Sequence, residues 1–434
     1  MTFNRFAHLL FSLLLSFIIS NGISQTKTGK PSSPLPEAAP VSQGMSELRL
    51  GKIDKMLNDA VAQSKIPGVV ALIARNGKIV FHKAYGMADN MSGKVLKKDD
   101  IFRIASQTKA ITATAVMMLW EEGKFKLDDP IAKYIPEFGK AQILDSFNEK
   151  DSSYTTKPAK NQVTIRHLLT HTSGIGYGAI DDDDRFRKIF AKAGIIDAFT
   201  TRSVTIEENI KKLAKLPLHH EPGENWTYSE GLDVLGYFIE IISGMSFDRF
   251  LRTRIFDPLG MKDTWFYLPD TDKNRLVSVQ EKTDGKWKKS AGSFFDIDYP
   301  VKGAKQFFSG GGGLSSTAKD YATFLQMYIN NGKLNGVRLL SRKTIEVIMA
   351  NQIGDIREVN NRYGLAFGLI SQKEQDAGGS GSAGTFDWGG YFNTQYFADP
   401  KEKLIGVLLK QTRGKTDDDT GWKFRLMAEA AIDD

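Results

Sequence analysis

Residues 106–138 read SQTKAITATAVMMLWEEGKFKLDDPIAKYIPEF. Ser106 opens this stretch and Lys109 follows at i+3. On a helix these two positions share a face, so the amine can reach the hydroxyl. The run AITATAVMMLWEEG is apolar on nearly every side, so the helix it forms must be buried between layers. A desolvated Lys loses its proton more easily and can then take the Ser proton. A Ser at a helix N-terminus also sees the positive end of the dipole, which favours an oxyanion formed on attack. The plain alternative is an N-cap Ser, and the tetrapeptide alone leaves the two readings even.

Ser-x-x-Lys occurs at two further places, Ser24–Lys27 and Ser316–Lys319. Ser24 lies in a polar linker and cannot be held rigid. Ser316 follows GGGGLS and precedes TAKDYATFLQMYI, where an N-cap role accounts for it. No Gly-x-Ser-x-Gly is present, which argues against an α/β-hydrolase elbow. No His-Glu-x-x-His is present, which argues against a zincin.

Outward from the Ser106 helix, residues 46–64 carry a helical stripe of Leu50, Ile53, Met56, Leu57, Ala60 and Val61. VVALIA (69–74), Asn76-Gly77 and KIVFHKAYG then predict a β-hairpin. Residues 106–300 read as helical runs with irregular loops, among them LDVLGYFIEIIS (232–243) closed by Gly244. NTQYFADPKEKLIGVLLKQ (393–411) predicts strand, Asp-Pro turn, strand, and a helix follows at about 420–432. This order predicts an α/β (α+β) two-domain fold. Residues 46–105 and 305–434 form a discontinuous domain, an antiparallel sheet flanked by terminal helices. Residues 106–304 form an inserted, mostly helical domain. DAGGSGSAG (376–384) reads as a flexible loop, and DDDD (181–184) as a solvated acidic turn lacking the spacing of a calcium loop.

The chain has 434 residues, 41% hydrophobic and 25% charged, which excludes a disordered or collagenous protein. The formal charge of +7 is spread along the chain and not gathered in a stripe, so no nucleic-acid partner is expected. The absence of Cys excludes a thiol nucleophile, Cys-ligated zinc and disulfides. Arg5, the apolar run Leu9–Ile19, and then Ser20, Gly22 and Ser24 read as a signal peptide over residues 1–24. An exported protein, periplasmic or extracellular, with no stable membrane anchor after cleavage, is the expectation. Residues 25–45 read as a flexible lead-in.

The stretch 106–138 resembles the serine β-lactamase-like family of class C β-lactamases, D-Ala-D-Ala carboxypeptidases and family VIII carboxylesterases. TIRHLLTHTSGI (164–175), the segment 221–264, SGGGGLSSTAKDYATFLQMYINNGKLNGVRLLS (309–341) and WGGYFNTQYFADPKEKLIGVLLKQ (388–411) resemble it too. The resemblance implies Ser106 as nucleophile and Lys109 as its lysine. It places the family's Tyr-x-Asn on Tyr228-Ser229-Glu230, with Tyr228 as general base or sharing that task with Lys109. It also implies an oxyanion hole from the backbone N–H groups of Ser106 and Tyr391. Two departures stand out. Glu230 replaces an Asn that helps hold a substrate amide, and Trp388-Gly389-Gly390 replaces Lys-Thr-Gly on the strand edging the site. The one Lys-Thr-Gly in the chain, Lys27 to Gly29, lies in the lead-in. Trp in place of Lys removes a cation that could pair with a lactam carboxylate. Glu230, Trp388, Gly389 and Gly390 are thus the expected substrate-binding set, closest to the esterase branch.

No cofactor and no metal site are expected. His167 and His171 stand at i and i+4, but no third ligand is evident and the pair reads as structural. His219-His220 read the same way. Tyr177, Trp226, Phe307, Phe308, Trp388 and Tyr391 are candidate lining for an acyl pocket. The sequence therefore predicts a serine hydrolase acting on a small-molecule ester or amide, with short-chain esters favoured. A D-amino-acid peptidase or weak β-lactamase stands as the alternative. A catalytically retired binding protein stands as the second. The oligomeric state stays open.

Overall fold

The central strands are apolar without alternation, GVVALIAR and LIGVLL, as strands covered on both faces must be. The computed structural model describes residues 34–356, 362–414 and 417–434. The segment expected to be a signal peptide lies outside the described residues. Eight strands form one sheet. Its first three are β1 (Gly68–Arg75), β2 (Lys78–Asp89) and β3 (Lys94–Val95). The others are β4 (Arg362–Tyr363), β5 (Gly368–Leu369), β6 (Phe386–Gly390), β7 (Thr394–Asp399) and β8 (Leu404–Leu409). Their order is β4-β5-β6-β7-β8-β1-β2-β3, every pair antiparallel. The two ends of the chain meet where β1 pairs with β8, Val70 opposite Leu409 and Leu72 opposite Val407. Asn76 and Gly77 both take positive φ, which the two-residue turn joining β1 to β2 requires.

The pleat divides the core in two. Val69, Ala71, Ile73, Leu404 and Leu408 face α1 (Glu47–Ala62) and the C-terminal helix Thr420–Ala430. Leu50, Ile53 and Leu57 from α1 and Phe424 and Ala428 from the C-terminal helix complete that layer. Val70, Leu72, Ile405, Val407 and Leu409 face the other way, into the larger apolar cluster that also takes in α2 (Thr108–Glu121). Thr108 to Leu119 of α2 are all buried, so this helix is the middle layer that its composition predicts. The buried Thr112 hydroxyl lies within hydrogen-bond reach of the Thr108 and Gly310 carbonyls, and that of Thr114 reaches the Ala110 carbonyl. Beyond α2 lie α3 (Ile165–Thr170) and α4 (Gly231–Ser243), the latter closed by Gly244 in the left-handed region. The helix α5 (Ala318–Ile329) packs against β1 and β8, and the C-terminal helix is α6. The apolar cluster under the sheet continues through α2 into this helical layer, and residues Pro34–Asp434 form one compact unit.

Four local expectations are corrected. Residues 34–45 of the lead-in are ordered: Leu35 and Met45 are buried, and Ala38 N–H donates to the Ile79 carbonyl. The acidic run is not simply solvated. Asp181 is buried and accepts from Tyr177 N–H, while Asp183 caps the helix Asp184–Ala193. Ser316 is not the cap of α5. It sits in a short strand, Ser315–Ser316, paired with Phe102–Arg103, and the cap is Thr317, whose hydroxyl accepts from Asp320 N–H. The region read as helical also holds two hairpins, Gln142–Asn148 with Ser153–Pro158 and Gln280–Thr283 with Lys286–Lys289. Their strands are largely polar and exposed, so they lack the apolar alternation that marks a strand in sequence.

Candidate active site

Two anchors fix the approach to Ser106. Phe102 and Arg103 pair with Ser316 and Ser315, and the buried Arg103 guanidinium donates to the Ile297 and Val277 carbonyls. Ala105 then adopts φ 44°, a left-handed conformation that costs a non-glycine residue energy and is held here by its surroundings. Ala105–Gln107 form a 3-10 turn that runs into α2. Helix α2 has no side-chain cap bond at its N-cap, Gln107, so Ser106 is not a capping serine. Its hydroxyl faces Lys109.

Lys109 is 1% exposed, and its Nζ lies 3.3 Å from Ser106 Oγ. The same Nζ donates to the Tyr177 hydroxyl at 2.8 Å and to the Gly311 carbonyl at 2.6 Å. In the neutral form an amine so placed keeps two donors for these acceptors and a lone pair for the serine proton. The Tyr228 ring lies over the ammonium, 4.7 Å from Nζ to its centroid, and stacks on Tyr177 at 5.3 Å. Burial, followed by the charge of Tyr228, pushes the Tyr177 phenol well above its ordinary range, so Tyr177 keeps its proton at neutral pH.

His171 positions the Tyr228 loop. It is the left-handed C-cap of α3, its carbonyl accepts from Thr227 N–H, and its Nδ1 accepts from Ser229 N–H. A backbone N–H can only donate, so the His171 ring proton belongs on Nε2. His167 caps the start of α3 in a box with Thr164. The two histidines therefore serve opposite ends of the helix. His219 Nε2 lies 3.1 Å from the Asp181 carboxylate, and His220 bridges the Glu221 carbonyl and the Thr227 hydroxyl.

The strand edge departs from a simple reading of its two glycines. A Cβ on Gly390 would stand 2.4 Å from the Ile104 carbonyl oxygen, so this glycine lets β6 close onto the segment carrying Ser106. A Cβ on Gly389 would meet only the Thr394 carbonyl, at 3.3 Å, so it is Gly389 that leaves room along the edge. Trp388 packs on Tyr228 and Tyr363. Tyr391 is clamped by Arg413, whose guanidinium lies 3.5 Å from its ring centroid and donates to its carbonyl.

Glu230 is placed differently from the substrate-binding position its sequence number implies. It is 1% exposed and does not line the cleft. Burial, then the neighbouring Asp197 carboxyl, pushes its own carboxyl well above the usual range. Asp197 in turn accepts from Gly178 and Ala179 N–H, which ties the start of α4 to the loop carrying Tyr177. Asp233, also buried, accepts from the Ser309 hydroxyl, which in turn accepts from Gly312 N–H, and so holds the loop whose carbonyl receives Lys109. Tyr177 and Asp233 are the members of the site whose roles sequence reasoning missed. Tyr177 counted only as a pocket aromatic, and Asp233 lay inside a helix with nothing local to mark it. Phe307 and Phe308 do not line the cavities beside Ser106.

Ser106 and Tyr391 border two cavities. One, of about 840 Å³, runs past Tyr228 and Trp388 along β6 to Trp422 and Leu426 of α6. The other, of about 20 Å³, lies against Tyr177, Phe199, Phe294, Gly311 and Gly312.

The fold and this Ser–Lys–Tyr grouping are those of a serine hydrolase. The chain belongs to the β-lactamase family, whose sequence model matches residues 53–430. It is 29% identical over 376 residues to esterase EstB of Burkholderia gladioli, covering 83% of this chain and 90% of that protein. It is 28% identical over 382 residues to lovastatin esterase of Penicillium rubens, covering 82% of this chain and 91% of that one. Among solved structures it resembles EstCE1, described as a hydrolase with promiscuous acyltransferase activity. That likeness has a TM-score of 0.74 at 25% identity and covers 89% of this chain and 98% of EstCE1.

Proposed function

We propose that the protein hydrolyses short-chain carboxylic esters through an acyl-enzyme on Ser106. The observation that carries this reading is Ser106 Oγ at 3.3 Å from a buried Lys109, at the border of an open cleft lined by Tyr228 and Trp388. Lys109, with Tyr228 beside it, takes the Ser106 proton as Oγ bonds to the carbonyl carbon. The backbone N–H groups of Ser106 and Tyr391 hold the resulting oxyanion. When the carbon–oxygen bond breaks, the proton passes through Tyr228 to the departing alcohol. Water then adds to the acyl carbon, gives a proton back along the same path, and Oγ leaves protonated with the free acid as product. Trp388, an apolar face where a lactam carboxylate would need a cation, supports an uncharged ester over a β-lactam. The esterases among the relatives support the same preference. Export is part of the proposal and rests on the apolar run Leu9–Ile19 with the small residues after it.

A nitrophenyl ester, a chromogenic cephalosporin and a D-Ala-D-Ala peptide assayed side by side test the reading. Ester turnover that disappears in Ser106→Ala, with Ser106 labelled by a serine-reactive phosphonate in the unmodified protein, is the expected result. Cephalosporin turnover equal to or above the ester rate overturns it in favour of a lactamase, and D-Ala release in favour of a peptidase. Absence of both labelling and turnover makes the chain a retired binding protein.

A further inference from the structure

We infer that the substrate joins a small acyl group, of about acetyl size, to a bulky apolar alcohol. This rests on the esterase reading above and deepens it. The two cavities beside Ser106 share Ser106, Ile180 and Tyr391 and nothing else. A carbonyl bonded to Ser106 and held by the two backbone amides must therefore send one substituent into each. Which goes where follows from the proton path. The departing alcohol oxygen has to face its proton donor, and Tyr228 lines the large cleft and not the small cavity. The alcohol thus occupies about 840 Å³ and the acyl group about 20 Å³.

The small cavity has room for about one water-sized group. Its walls explain why. Phe199 stacks on Tyr299 at 4.9 Å, and a Cβ on Gly312 would already stand 3.3 Å from the Phe199 ring. Phe294 closes the solvent side, 40% exposed and set edge-on to Tyr391 at 5.7 Å. The large cleft is of the size that holds drug-sized ligands. It ends on Trp422 and Leu426 of α6, which are 61% and 50% exposed. These side chains form an apolar platform for a body of two or more rings, while the ester end sits against Trp388.

The test varies one half of the ester at a time on the intact protein. With nitrophenol fixed, acetyl should exceed hexanoyl in kcat/KM by about 100-fold or more, since each added methylene meets a filled wall. Phe294→Ala, on an exposed ring, should shrink that ratio by about ten-fold or more. Phe199→Leu, a milder change to the other wall, should move it in the same direction. With acetyl fixed, biphenyl-4-yl acetate should exceed phenyl acetate by about ten-fold, the value of burying a second ring. Trp422→Ala should remove that advantage. Hexanoyl turned over as well as acetyl, or no preference for the second ring, overturns the inference while the esterase reading stands. Failure of every ester, with the label still taken up by Ser106, overturns both.

Discussion

Lys109 Nζ lies closer to the Tyr177 hydroxyl, at 2.8 Å, than to Ser106 Oγ, at 3.3 Å. The lysine is thus held by a second tyrosine that is not the one facing the cleft, and the two phenols have different work. Tyr177 is kept protonated by burial and can only orient the amine, whereas Tyr228 borders the cleft and can exchange a proton with substrate. Tyr228→Phe should lower the acylation rate by about 100-fold or more, as loss of a general acid–base group does, and Tyr177→Phe by about ten-fold. Lys109→Ala with Tyr228→Phe should cost less than the product of the single effects, because both serve one proton path. Single-turnover acylation rates check this, and equal losses for the two tyrosines would contradict it.

Asp233 acts on Lys109 through the Ser309–Gly311 loop and is a positioning residue. Asp233→Asn should lower kcat by about ten-fold with little change in KM, since it disturbs the amine and not the cleft. The unfolding midpoint of the same variant separates this split from a general loosening of the fold.

The raised pKa of the buried Glu230 carboxyl makes stability depend on pH. Its folded pKa is raised above the unfolded value, so the folded state binds the extra proton once pH exceeds about 4.5. Its contribution therefore falls as pH rises from there towards the folded value. Glu230→Gln keeps a neutral partner for Asp197 and should flatten this part of the stability curve. Urea unfolding at a series of pH values measures the slope in both proteins. An unchanged slope would mean that Glu230 is ionised in the fold.

Thr317 caps α5, so Thr317→Ala should cost about 1 kcal/mol and Thr317→Ser should restore it. Ser316→Ala should not be rescued in the same way. Its hydroxyl meets Thr264 at 2.8 Å and caps nothing. Denaturant midpoints of the three variants distinguish the two positions.

Trp388→Lys places an ammonium on the strand edge where a lactam carboxylate would lie. A charge-assisted hydrogen bond contributes about 1.5–3 kcal/mol, about 10- to 150-fold in binding. The ratio of cephalosporin to ester turnover should rise accordingly. Glu230 is buried outside the cleft and does not line it. A ratio that stays constant would show that Trp388 is not what limits lactam recognition.

The buried Ser–Lys helix, the Asn76-Gly77 hairpin, the Asp-Pro turn joining β7 to β8 and the sheet built from both chain ends were legible in the sequence. Hydrophobic period, turn chemistry and capping are properties of neighbouring residues, and a run of 5–20 residues expresses them in full. Ser106 and Lys109 stood out as Ser-x-x-Lys opening an apolar helix, a pattern that only the family resemblance decided, and Tyr228 came through that resemblance alone. Tertiary structure alone decided the rest. Tyr177 reaches Lys109 across 68 positions and Gly311 across 202, distances over which no periodicity carries information. Glu230 differs from an exposed carboxylate only through the Asp197 carboxyl and the desolvation that packing imposes. Thr317 in place of Ser316 as cap follows from the pairing of Ser315–Ser316 with Phe102–Arg103, which pulls Ser316 out of the helix start. The unequal cavities beside Ser106 arise where α6, β6 and the Phe199 loop converge, and shape of that kind exists only once distant segments are packed.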